Sequence, residues 1–71
     1  MSKFIKLTVI ERHDNGDKER ITYVNVEYLR GFSWHETIQS TFIDVPDGEY
    51  EVQESPEEIL KLIKEGEEWN I

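Results

Sequence analysis

With 71 residues and no cysteine, the chain is expected to form one small domain held by apolar packing alone, without disulfides or a thiolate metal site, and with little room for a substrate cleft. Its formal charge of −8 is unevenly placed: residues 1–43 carry as many bases as acids, whereas residues 44–71 carry ten acids against Lys61 and Lys64. That field disfavours direct binding of nucleic acid or of an anionic membrane through the second half.

The N-terminus offers only Phe4-Ile5 before Lys6 interrupts the apolar run, which is too short for a signal-peptide core or a membrane span. A mature, cytoplasmic chain is therefore expected. A first strand is predicted over about 3–12, with Ile5, Leu7 and Val9 at period two on one face and Phe4 and Ile10 on the other. Asp14-Asn15-Gly16-Asp17 supplies a turn in which Asn-Gly tolerates positive φ, so the chain should double back as a hairpin. The second strand, about 19–26, is apolar on both faces, Ile21 and Tyr23 against Val24 and Val26. Such a strand calls for a sheet curled over itself, a covering helix or another subunit.

Val26, Tyr28 and Leu29 break the alternation, which predicts a short turn or helical kink. A third strand over about 29–35 then places Phe32 and Trp34 on one face, and Gly31 marks a bulge or a close backbone contact. A fourth strand is predicted over about 38–45. The turn Val45-Pro46-Asp47-Gly48 follows, with Pro46 setting φ and Gly48 accepting the left-handed region. The fifth strand, about 49–53, alternates Tyr50 and Val52 inward with Glu49, Glu51 and Gln53 outward.

The junction Val52-Gln53-Glu54-Ser55-Pro56-Glu57-Glu58-Ile59 is the densest local signal in the chain. Ser55 suits the N-cap, Pro56 the first helical position, and Glu58 the third, which completes a capping box. The helix should run over about 56–65, burying a stripe of Ile59, Leu60, Leu62 and Ile63, with Glu57 and Lys61 as an i,i+4 pair and Gly66 as C-cap. The tail, 66–71, holds Trp69 and Ile71. The predicted fold is α+β: a small antiparallel, curled sheet of about five strands with one C-terminal helix packed on it.

Signals for chemistry are sparse. No serine stands in a nucleophile-elbow context, and Ser55 is accounted for as a cap. His13-Asp14 and His35-Glu36 lie in different loops without ligand spacing, and solvated or structural histidines explain both. Asp14 to Asp17 lacks the length and spacing of a calcium loop, and there is no Gly-rich phosphate loop. No enzymatic activity, cofactor, metal or small-molecule substrate is expected. Trp34, His35 and Trp69 are the candidate interaction residues, because aromatic side chains anchor interfaces out of proportion to their number. Core packing is the competing reading for Phe32 and Trp34.

Ile5-Lys6-Leu7-Thr8 in the first strand, Tyr23-Val24-Asn25 in the second and Val52 to Ile59 at the last junction together resemble the FlbD/SwrD family of small flagellar proteins. The resemblance covers most of the chain. It implies a few antiparallel strands followed by one helix, and a non-enzymatic accessory role in flagellar assembly or swarming. The same pattern resembles small prophage-type proteins. Three functional expectations follow: a protein-interaction module that binds a protein partner or itself as a homodimer; a flagellar accessory protein; and an acidic phage-type decoy that mimics nucleic acid with the ten carboxylates from Asp44 to Glu68. A solvated acidic face that only maintains solubility is the plain alternative.

Overall fold

The computed structural model describes residues 2–65 and 68–69. Strands β1 (Ser2–Glu11), β2 (Lys18–Asn25), β3 (Gly31–His35), β4 (Ser40–Val45) and β5 (Gly48–Val52) precede helix α1 (Pro56–Glu65) and a two-residue strand β6 (Glu68–Trp69). The five main strands form one open antiparallel sheet in the order β2-β1-β5-β4-β3, and β6 pairs with Ser2 and Lys3 of β1. The fold is α+β.

Two hairpin systems build the sheet. β1 and β2 pair over eight residues, Phe4 opposite Asn25 through Glu11 opposite Lys18, around a turn in which Gly16 has φ of 127°. β3, β4 and β5 form a meander, and β5 closes onto β1 where Val9 faces Val52 and the Gln53 amide donates to the Thr8 carbonyl at 2.9 Å. Directly opposed residues share a face of an antiparallel ladder. Ile5, Leu7 and Val9 therefore share a face with Val24, Val52, Ile43 and Val45. This is the face that α1 covers, and among the described residues the buried apolar core is its Ile5, Leu7, Val9, Ile43, Val45 and Val52 together with Ile59 of the helix.

The capping box forms as the sequence predicts. The Ser55 hydroxyl accepts from the Glu58 amide and the Glu58 carboxylate accepts from the Ser55 amide, each at 3.1 Å. Glu54 ties the junction to β1 by accepting from the Thr8 amide at 2.9 Å and the Thr8 hydroxyl at 3.0 Å. Of the predicted helical stripe, Ile59 is buried and Leu62 and Ile63 pack against the core, but Leu60 is 57% exposed. At about 100° per residue, Leu60 falls outside the arc that the other three span, so a single sheet contact cannot reach it. Gly66, the predicted C-cap, and Ile71 lie outside the described residues.

Other differences have local causes. Where alternation suggests strand from Ile38, β4 begins at Ser40, because Gln39 sits at φ 53° in a turn whose Gln39 amide and side chain both donate to the Glu36 carbonyl. β3 begins at Gly31 because Val26–Tyr28 form a 3-10 turn and the Leu29 amide donates back to the Val26 carbonyl. Gly31 pairs in register with Asp44 and has open space where a Cβ would stand, so neither a bulge nor a close contact explains it. Glu51 is the largest departure. The pleat does point it away from Val52, as expected, yet it is buried rather than solvated.

Candidate interaction surface

The predicted anchors do not converge. Trp34 lies opposite Thr41 at the end of edge strand β3, is 39% exposed, and its indole donates to a Glu36 carboxylate oxygen at 2.7 Å. His35 projects from the other face, where its ring meets Phe42 at a centroid distance of 4.6 Å with a 57° tilt, and its Nε2 lies 3.4 Å from the Ser33 hydroxyl. Period-two alternation separates these neighbours. Trp69 pairs through its backbone with Ser2, and its side chain lies outside the described residues.

Glu51 is buried by a polar cluster on the sheet face away from α1. Arg12, just past the end of β1, donates its Nε to Glu51 Oε1 at 3.0 Å, its other terminal nitrogens reach Glu51 Oε2 and Asp17, and the Ser40 hydroxyl also donates to Glu51. The hydrogen bonds from Arg12 hold the Glu51 carboxyl below its usual range, with help from Ser40 and against the opposing effect of burial. No local signal marks this cluster, because its members come from three separate segments, the β1–β2 loop, β4 and β5. It clamps the first hairpin to the meander and holds no open coordination or nucleophile geometry. Among the described residues, no group of three or more His, Cys, Asp or Glu side chains could hold a metal ion, and no helix is long and apolar enough to cross a membrane.

The surface that stands open is built around β2. It is the edge strand opposite β3, and on the face away from α1 its Ile21 is 53% and its Tyr23 54% exposed. On the other face, α1 does not reach the end of the sheet near the β4–β5 turn. A trough of about 410 Å³ remains between β2 and that turn, floored by Val9, Val24, Ile43 and Val45 and edged by Tyr28 and Tyr50. Arg20 and Asp47 contribute one charge of each sign to its lining. The Tyr50 hydroxyl donates to Asp47 at 3.0 Å, and this bond raises the Tyr50 pKa above its ordinary value. Tyr28 owes its place to the 3-10 turn, whose start is capped by the Asn25 side chain accepting from the Glu27 amide at 3.0 Å.

The sequence shows the two apolar faces of β2 but not the trough. The break in alternation at Val26–Tyr28 is the one local signal for it, since it lifts Tyr28 out of the sheet and beside the open face. No protein-family model, curated protein or solved structure matches the chain.

Proposed function

We propose that this chain is a non-enzymatic protein-interaction module whose binding surface is centred on β2. One observation carries the reading: β2 is an open sheet edge with Ile21 and Tyr23 more than half exposed on one side and an apolar, tyrosine-edged trough on the other. Large exposed aromatic groups beside an apolar hollow are the usual centre of a protein interface, and an open edge adds unpaired backbone groups that a partner strand satisfies. The FlbD/SwrD resemblance belongs to the same functional class and makes swarming motility the first physiological setting to examine.

The decoy reading draws less support. Mimicry of nucleic acid needs carboxylates free on one surface, whereas Glu51 is bound by Arg12, Glu54 by Thr8, and Glu58 by the helix N-terminus.

Selection of displayed random peptides on the immobilised protein tests the interaction reading. Enriched peptides should share a pattern and lose binding to the Tyr28→Ala variant. Absence of enrichment, or binding indifferent to both Tyr28→Ala and Ile21→Lys, overturns it.

A further inference from the structure

We infer that β2 pairs with β2 of a second copy, antiparallel and centred on Thr22, to join two sheets into one. The inference rests on the interaction reading above and names its partner. It starts from the difference between the two sheet edges. β3 is short, five residues, and is followed at once by Glu36. β2 has eight residues and no proline, and from Ile21 to Asn25 it carries no charge. Natural edges are normally blunted by charge, proline or brevity, and this half of β2 has none of these.

The pleat and the charges select the register. Outward-pointing backbone groups occur at every second residue, so a strand pairs with its own copy only about a residue, never between two. Centring on Arg20 opposes two arginines. Centring on Ile21 sets Glu19 against Tyr23 and Lys18 against Val24. Centring on Tyr23 sets Glu19 against Glu27, just past the strand end. Centring on Thr22 opposes no like charges within the strand and sets Ile21 against Tyr23 twice, covering both exposed apolar side chains of each copy.

A second observation points to the same residue. Among the described residues, the Thr22 hydroxyl is the buried side-chain oxygen that has no hydrogen-bond partner. At the centre of this register Thr22 faces its own copy, and a turn about χ1 lets one hydroxyl donate to the other, a cross-strand pairing that threonine favours. β2 also lies in residues 1–43, the half of the chain with balanced charge, so the acidic half does not have to be brought into the contact.

A single strand-to-strand contact falls short of the roughly 1,200–2,000 Å² of a stable interface, so the dimer should be weak, with exchange in the ~10–500 µM range. Because the chain has no cysteine, introduced thiols report the register directly. Ile21→Cys mixed with Tyr23→Cys should give mainly the mixed disulfide dimer, and Thr22→Cys alone should cross-link at least about tenfold faster than Ile38→Cys, a control in the exposed β3–β4 turn. Sedimentation velocity of the unmodified chain should show an average coefficient that rises with concentration, and the Ile21→Lys/Tyr23→Lys variant should lose the rise. Both substituted side chains are over half exposed, and circular dichroism checks that the variants fold. A flat coefficient up to about 500 µM overturns the pairing, as does association without preferential Thr22→Cys or mixed Ile21/Tyr23 cross-linking. Peptides that bind through Tyr28 would survive either result, so failure of this pairing is separable from failure of the interaction reading.

Discussion

Arg12 and Glu51, 39 positions apart in the chain, are joined side by side through Nε and a terminal nitrogen of the guanidinium, so one half-exposed cation neutralises a buried carboxylate and pins the first hairpin to the meander. Removing the cation leaves a buried charge held only by the Ser40 hydroxyl, with no opposite charge beside it, which is the costly half of breaking such a pair.

The pH dependence follows from Glu51. Its folded pKa is depressed, so its contribution is present above the unfolded carboxyl value and is lost as pH falls through the lower folded value. Arg12→Met should therefore lower the Tm more at pH 7 than at pH 3, because below the ordinary carboxyl value the variant's Glu51, no longer held down by the guanidinium, can take a proton and avoid burying an uncompensated charge. An equal loss at the two pH values in thermal melts would show that the pair is not what the substitution removed.

Helix docking is concentrated on one stripe. Ile59→Ala should destabilise by about 2–5 kcal/mol, whereas Leu60→Ala should stay within about 0.5 kcal/mol, because Ile59 is fully buried and Leu60 mostly exposed. Urea unfolding followed by circular dichroism compares the two.

The capping box is measurable by itself. Ser55→Ala removes the acceptor of the Glu58 amide and should cost about 1 kcal/mol, and Ser55→Asp should recover most of it. Chemical denaturation of the three proteins is the check.

Two glycines separate backbone strain from space. Gly48 has φ of 138° in the β4–β5 turn and Gly31 does not adopt positive φ, while at both positions the space that a Cβ would take has no heavy atom within 4 Å. Gly48→Ala should destabilise by roughly 1 kcal/mol or more, and Gly31→Ala should be neutral or slightly stabilising. Matched Tm values for the two variants would contradict the assignment.

Trp34 can be read alone in the Trp69→Phe protein. Its indole is 39% exposed and bonded to Glu36, so its emission should be intermediate and acrylamide should quench it partly. Quenching as weak as that of a buried indole would return Trp34 to the core.

Much of the architecture is legible in the residues because its causes are local. Period two in β1 marks Ile5, Leu7 and Val9 as the buried face, Pro46-Asp47-Gly48 supplies the turn between β4 and β5, and Ser55 with Glu58 starts α1 at the expected place. Each depends on neighbours within a few positions, where backbone geometry leaves little choice.

Tertiary structure alone decided what lies on the sheet's second face and beside its edge. Alternation sends Glu51 outward with Glu49 and Gln53, but only folding brings Arg12 and Ser40 to meet it. Leu60 differs in kind: hydrophobicity places it with Ile59, but at about 100° per residue it stands outside the arc of Ile59, Leu62 and Ile63, and it is left in solvent. The trough beside β2 is tertiary in origin, since it is the part of an apolar face that a ten-residue helix is too short to cover. Local sequence sets the direction in which a side chain points, and what waits there is set by segments that only the closed sheet brings together.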